Sequence, residues 1–442
     1  MKQLLKILVI FGLSIGLLTA CSSSSSNSST SQSQNKSSQN KSSQNKSSLS
    51  SNRFNYGTVS YNPSATGIPS FYTPPSSLPN KPSGTLIRYE KVTGVPQVPT
   101  GATVYRIMFI SKTIYNKEIP ESGYAIVPPT KAPAGGYTVL SWAHGTTGAA
   151  PICAPSLFEG SIYLTPGLNY FLADNFLIAA TDYEGLGTSV TIHPYLIGQS
   201  EGQGVLDAAK AAQQLPGVDV SNKVFIYGHS QGGQSALFAG QLAKSYAPSL
   251  NVLGVVAAAP ATGFPLIVDV LASDNAIESE SVTAAWTWSK TYKDLPASIA
   301  FTPKGIEVAS KYVDSVCIAA LGGILSKYPA SEIFKSSASK NASVQKIAAE
   351  NNPGNSVTYA PMLIVQGTAD TLVLPILTDT YVKSACLIKD SIDYVHVPGA
   401  THGTVVEEEA QPISQWMQAI VSGTPNNSTC ALNPDYSTST TS

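Results

Sequence analysis

The stretch Lys223-Val-Phe-Ile-Tyr-Gly-His-Ser-Gln-Gly-Gly-Gln-Ser235 constrains this chain more than any other. It contains Gly228-His-Ser-Gln-Gly232, a match to G-x-S-x-G, between two segments of opposite character. Val224 to Tyr227 is β-branched and aromatic and predicts a strand; Ser235 to Lys244 predicts a helix. A strand that enters a helix through so short a turn strains the serine backbone, and its neighbours must be small, hence Gly228, Gly232 and Gly233. Ser230 is then held at the edge of a sheet and at a helix N-terminus, where negative charge is stabilised. Taken alone, a Gly-rich turn carrying a serine means little. Between this strand and this helix, it makes Ser230 the candidate nucleophile.

The 442 residues allow a large core with an insertion. Residues 1–50 hold five lysines and no acidic residue, which leaves 21 basic against 27 acidic side chains in the remainder. That balance offers no basic footprint for nucleic acid. The five histidines are scattered, with neither H-E-x-x-H nor C-x-x-C, so no metal site and no cofactor are expected.

The N-terminus is an address. Lysines at 2 and 6 precede an apolar run from Ile7 to Leu18, too short to span a bilayer as a mature helix. The run ends Leu18-Thr-Ala-Cys21, similar to a bacterial lipobox, which makes Cys21 the expected lipidation site. Lipid on Cys21 tethers a protein to a membrane surface without spanning it. The expected location is therefore the cell envelope, outside the cytoplasm. Ser22 to Ser51 is nearly all Ser, Asn, Gln and Lys, with Gln-Asn-Lys-Ser-Ser repeated from 34, 39 and 44. Such a stretch cannot bury apolar area and predicts a flexible tether.

From residue 84 onward the pattern is that of an α/β domain. Strands are predicted at Gly84–Val92, Val104–Ser111, Gly123–Pro128, Tyr137–His144, Phe176–Thr181, Val252–Ala259, Pro361–Gly367 and Asp393–Val397, with helices at Tyr170–Asn175 and Glu201–Leu215. Alternation of this kind argues for a mostly parallel sheet covered by helices on both faces. Residues 263–359 break the rhythm with helical patterns at Val282–Tyr292, Gly305–Leu321 and Ser343–Glu350, which predicts an inserted cap. Trp286, Trp288 and the run Val316–Leu325 either line an acyl pocket or form the cap's own core. The chain thus divides into a leader 1–20, a tether 21–51, an irregular lead-in 52–83, a core 84–262 and 360–425, a cap 263–359 and a tail 426–442.

A serine hydroxyl needs a base within hydrogen-bond reach, and the base needs an orienting carboxylate. Asp370 and His402 each follow a buried strand, on the same sheet edge as Ser230, in the chain order Ser, Asp, His. His402 is the expected base and Asp370 the orienting acid. His396 is the rival base, but it alternates within the last strand and reads as packed there. The Gln231 N–H is the expected first oxyanion donor. The second lies between the loop Gly145-Thr146 after the Tyr137 strand, where His144 is structural, and Asp182.

Together these residues resemble the secretory lipase family of α/β-hydrolases, which includes fungal lipase A-type enzymes. The resemblance covers roughly residues 84–425. Its carriers are Thr181-Asp-Tyr-Glu-Gly185, Glu201-Gly-Gln-Gly-Val-Leu-Asp-Ala208, the Gly228–Gly232 motif, Ser245-Tyr-Ala-Pro-Ser-Leu-Asn251, Gly367-Thr-Ala-Asp370 and Thr401-His-Gly403. It implies an α/β-hydrolase fold with a helical cap before the acid-bearing strand, and cleavage of carboxylic esters. It also implies that Asp182 supplies the second oxyanion donor, with Thr146 as the alternative. The lipobox and tether depart from the secreted fungal pattern.

Beyond Cys21, four cysteines remain, and an even count in an exported chain suggests disulfides. Of three possible pairings, Cys386–Cys430 and Cys153–Cys317 are the expected ones. The expected protein is a monomeric serine ester hydrolase, an esterase or lipase acting on an ester or lipid. A serine peptidase on the same fold and a catalytically silent binding lipoprotein are the alternatives.

Overall fold

In the computed structural model of the chain, the apolar runs assemble into one 10-stranded sheet. The structure describes residues 67–157, 165–265 and 279–432, together with the backbone of 54–60. The leader, the tether and Cys21 lie outside the described residues. In chain order the strands are β1 (Phe54–Ser60), β2 (Leu86–Thr93), β3 (Thr103–Lys112), β4 (Glu118–Val127), β5 (Tyr137–Ala143), β6 (Phe176–Thr181), β7 (Val220–His229), β8 (Asn251–Ala258), β9 (Met362–Gly367) and β10 (Ile392–Val397). Their order across the sheet is β1-β2-β3-β4-β6-β5-β7-β8-β9-β10. From β6 through β10 every neighbouring pair is parallel, while β2-β3-β4 form an antiparallel meander that joins β6 antiparallel.

The central strands are apolar on both sides because helices cover both faces. In β7, Val224 and Ile226 enter one core with Val205 of α2 (Gly198–Ala212) and Leu237 of α3 (Gln231–Tyr246). Phe225 and Tyr227 enter the opposite core with Phe171 of α1 (Leu168–Ala173) and Met417 of a later helix, Ala410–Val421. Fully burying a side chain of this size contributes about 1.5–3 kcal/mol. A one-residue slip would send all four into the opposite core, where aliphatic and aromatic side chains would exchange places, so the strand that delivers Ser230 has one register. The helices α2 and α3 pack closely: a Cβ on Gly202 would lie 2.9 Å from the Ala239 nitrogen.

Between β8 and β9 the described residues hold helices and one isolated bridge, Phe301 to Phe334. These helices are α4 (Ser279–Thr291), α5 (Pro303–Tyr312), α6 (Ile318–Leu325), α7 (Ala330–Ile333) and α8 (Ala342–Glu350). The single helix expected over Gly305–Leu321 is two, because Cys317 is drawn out as the N-cap of α6 and bonded to Cys153.

The lead-in is also more regular than expected. β1 pairs in parallel with β2, and Phe71 and Tyr72 are buried. The Arg88 guanidinium of β2 donates to the carbonyls of Phe71 (3.0 Å) and Thr73 (2.9 Å). These partners lie well downstream in the chain, so no local periodicity announces them. The pairings Cys153–Cys317 and Cys386–Cys430 are both formed, the second fastening the short helix Thr429–Leu432 of the tail.

Candidate active site

Ser230 stands between β7 and α3 with φ 59° and ψ −120°. A non-glycine residue in such a conformation stores about 1–3 kcal/mol. Surrounding backbone holds it: Ser230 N–H donates to Ala258 O (3.0 Å), and Ser230 O accepts from the N–H groups of Ala261 (3.0 Å) and Gln234 (3.2 Å). Position 232 has no room for a side chain, since a Cβ there would sit 1.9 Å from the Ala143 carbonyl oxygen.

Asp370 follows β9 and His402 follows β10, and the structure brings them together, with Asp370 Oδ2 2.8 Å from His402 Nδ1. Asp370 Oδ1 accepts the N–H groups of Leu372 and Val373, both at 2.9 Å, and Gln366 Nε2 donates to Oδ2 at 3.1 Å. Burial pushes the Asp370 carboxyl up, but the His402 hydrogen bond and charge and the two N–H donors outweigh it, and it lies below its ordinary value. His229, inside the elbow, donates Nε2–H to the His402 carbonyl at 2.8 Å and so fixes the loop that carries the imidazole. Burial foremost, with the nearby His402 charge, lowers His229 to about 3, which keeps it neutral.

Two cavities meet at Ser230. The larger, about 580 Å³, is lined by Gly145, Thr146, Asn169, His229 and His402 among others. The smaller, about 180 Å³, is walled by Phe264, Ala284, Trp288, Leu295 and Val344. Ser230, Glu280 and Leu372 line both. The two tryptophans of α4 therefore divide their tasks. Trp288 faces the smaller cavity and donates Nε1–H to the Tyr195 carbonyl at 2.9 Å. Trp286 packs with Phe301, Val308, Leu321 and Leu325 in the insertion's own core, and no residue of 316–325 lines either cavity.

A family model described as secretory lipase matches residues 167–429. The chain belongs to the secretory lipase family. Lipase A of Moesziomyces aphidis is 25% identical over 200 residues, which are 42% of this chain and 41% of that protein. A probable inactive lipase of Mycobacterium tuberculosis is 25% identical over 203 residues, 43% of this chain and 44% of the relative. The chain thus spans less than half the length of these curated relatives it matches. The solved structure of Candida antarctica lipase A superimposes with a TM-score of 0.69 at 19% identity, over 81% of this chain and 87% of that one. A ligand-bound rice cell wall degrading esterase from Xanthomonas oryzae gives 0.61 at 16% identity, over 77% and 97%. These likenesses show the α/β-hydrolase fold.

Within this member of the secretory lipase family, one expected residue sits away from the place expected of it. Asp182 lines neither cavity. Its N–H is already donated to the Ser122 carbonyl at 2.8 Å, because β6 continues its pairing with β4 past Thr181. Its buried carboxylate accepts Ser122 Oγ (2.6 Å), Ser156 N–H (2.8 Å) and Ser156 Oγ, so it ties loops rather than facing substrate. The alternative, Thr146, lines the larger cavity beside Gly145, whose Cβ position lies 3.7 Å from Ser230 Cβ. His144 is buried and structural, donating Nδ1–H to the Gly145 carbonyl at 2.7 Å. His396 is not packed: it stands exposed on β10, the last strand of the sheet, 2.9 Å from Asp379 Oδ1. Gln366 and His229 escaped the sequence reading, since their places beside Asp370 and the His402 carbonyl are assembled only by the fold, as is the place of Glu280 on both cavities. Among the described residues there is no cluster of His, Cys, Asp or Glu that could hold a metal.

Proposed function

We propose that this secretory lipase hydrolyses carboxylic esters through an acyl-enzyme, with Ser230 as nucleophile, His402 as base and Asp370 as orienting acid. The observation that carries the reading is the His402–Asp370 pair on the wall of the cavity that also exposes the strained Ser230. Ser230 Oγ attacks the ester carbonyl carbon and His402 Nε2 takes its proton. The oxyanion forms against the N–H of Gln231 and the N–H groups of the 145–146 loop. Collapse breaks the acyl–oxygen bond, and His402 returns the proton to the leaving alcohol. A water, deprotonated by the same imidazole, then releases the acid. The acyl chain lies in the smaller, apolar cavity under Trp288, and the alcohol leaves through the larger one. No metal or cofactor enters the scheme.

A lipid on Cys21 would hold this domain outside the cytoplasm. The charged and apolar leader, the two disulfides and the secretory family support that reading. Among the described residues no helix is long and apolar enough to cross a membrane.

The test is initial rates of the full chain on p-nitrophenyl esters from acetyl to palmitoyl, beside Ser230→Ala and fluorophosphonate labelling. Activity and labelling lost in Ser230→Ala support the assignment. The inactive description of one relative makes the silent reading the one to exclude. An unlabelled wild type inert to every ester would establish it.

A further inference from the structure

Glu201, in the motif Glu201-Gly-Gln-Gly, has no task in the reaction above, yet it lies fully buried directly beneath the first turn of α3. Its Oε1 accepts Gln231 Nε2 at 2.7 Å and the Leu196 N–H at 2.7 Å, and its Oε2 is bonded to Ser235 Oγ at 2.5 Å. The Gln231 amide has a second hydrogen, and His193 Nε2 lies 3.1 Å from its nitrogen. The direction of that bond follows from the other side of the ring. His193 Nδ1 is 3.0 Å from the Glu184 carbonyl, which can only accept, so Nδ1 carries the proton and Nε2 offers its lone pair. Both hydrogens of the Gln231 amide are thereby committed.

Gln231 is the first residue of α3 and the neighbour of Ser230. Anchoring its side chain at both hydrogens fixes the Cα–Cβ direction, and with it the plane of the peptide between Ser230 and Gln231. That peptide carries the N–H assigned to the oxyanion. An oxyanion donor acts through pre-set direction, and a small misalignment is felt in the transition state more than in substrate binding.

We propose that Glu201 is a positioning residue: it holds the Gln231 side chain so that the Gln231 N–H points at the developing oxyanion. The inference rests on the serine-hydrolase reading. It assigns to Glu201 hydrogen bonding, not charge. A Gln at 201 can keep its oxygen where Oε1 accepts and its amide where Ser235 can accept, with Ser235 Oγ donating to the Gln231 carbonyl, now 2.9 Å away.

The experiment compares wild type, Glu201→Leu, Glu201→Gln, Gln231→Met and the double variant Glu201→Leu/Gln231→Met. It measures kcat and KM on p-nitrophenyl butyrate, inhibition by an alkyl trifluoromethyl ketone and melting temperature. The ketone adds Ser230 to form an oxyanion adduct, so it senses the donor directly. The expected result is a kcat about 10²-fold lower in Glu201→Leu and Gln231→Met, the scale of a lost oxyanion donor. KM stays within about threefold, while the ketone weakens by the same factor as kcat/KM falls. Glu201→Gln recovers to within about threefold of wild type, and the double variant is little worse than either single one.

A folded Glu201→Leu with undiminished kcat overturns the inference. So do losses confined to KM, unchanged ketone inhibition, losses that multiply in the double variant, or Glu201→Gln as damaged as Glu201→Leu. If Glu201→Leu does not fold, Gln231→Met decides alone, because it removes the same bond from the other side, and full activity there overturns the proposal. A wild type inert to every ester removes the hydrolase reading and this inference together; an active wild type with unaffected variants removes only this one.

Discussion

The sheet edge and the helical insertion above it are built by different rules. At the edge, Ser230, Asp370 and His402 each follow a strand end, and backbone bonds fix where they point: Ser230 through Ala258 and Ala261, Asp370 through Leu372 and Val373, His402 through the His229 ring. The insertion has its own core around Trp286 and Phe301, and it meets the sheet domain through a shared apolar cluster in which Trp288, Leu295 and Val344 pack with Ile197, and through specific links. These include Cys153–Cys317, the Ile318 N–H to the Thr147 carbonyl (2.9 Å) and Trp288 Nε1–H to the Tyr195 carbonyl (2.9 Å). On the proposed reading, main chain sets the geometry where the chemistry is done, and exchangeable side chains set it where substrate is selected. Substitutions at the edge should therefore abolish turnover, and substitutions in the insertion should redistribute it among substrates.

The largest effect is expected at Ser230. Ser230→Ala should lower kcat about 10⁶-fold, with the melting temperature little changed, because alanine keeps the Cβ and with it the backbone strain. Asp370→Asn comes next, at about 10⁴-fold, since the amide cannot hold the imidazole in its working tautomer. Retention of full turnover in Asp370→Asn would break the comparison at its strongest point.

This contrast also explains how far the sequence could be read. The strands and the three edge residues are local signals: an apolar run, then Ser, Asp or His within a few residues. The glycines at 228 and 232 announce the tight turn for the same reason. What could not be read depends on partners far along the chain. β1 exists because β2 is there to pair with it, and the break between α5 and α6 exists because Cys317 reaches Cys153. Asp182 looked like an oxyanion donor at a strand end, yet its N–H is consumed by Ser122, sixty residues upstream. Glu201 carried a visible motif, but only the packing of α2 under α3 shows what it touches.

The link between the two regions should cost more to cut than any single contact within the insertion. The Cys153–Cys317 bond spans 164 residues, and chain entropy for a loop of that length gives about 5 kcal/mol. The double variant Cys153→Ser/Cys317→Ser should unfold at markedly lower denaturant while its folded fraction still hydrolyses a short ester. Equal losses of stability in the Cys386→Ser/Cys430→Ser variant, whose bond spans 44 residues, would blunt the distinction.

The two tryptophans of α4 sharpen it. Trp288→Ala enlarges the apolar cavity beside Ser230 and should shift the preferred acyl chain to greater length, changing the ratio of long-chain to short-chain kcat/KM about 10-fold. Trp286→Ala removes a core side chain and should lower the melting temperature while leaving that ratio flat. The same shift from both variants would mean that the insertion acts as one body.

The smallest effect concerns the buried carboxyl beneath the elbow, and it has a definite sign. Burial pushes Glu201 up from its ordinary 4.5 to about 8, against the hydrogen bonds from Ser235, Gln231 and Leu196 that lower it. Between these two values the folded chain keeps a proton that the unfolded chain has released. Stability from this group is therefore present below pH 4.5 and is lost as pH rises through 8. Facing it, His193 is lowered to about 3, by burial foremost, and carries no charge in that window. Glu184, raised to about 7 by burial, adds a similar slope to wild type but cancels in a comparison of variants. Glu201→Gln has no proton to lose. Its melting temperature relative to wild type should thus climb by a few degrees between pH 5 and pH 9. A difference that stays level would mean that the carboxylate is already ionised in the folded state at pH 5. In that case charge beneath the α3 N-terminus, rather than hydrogen bonding alone, would be what fastens the elbow.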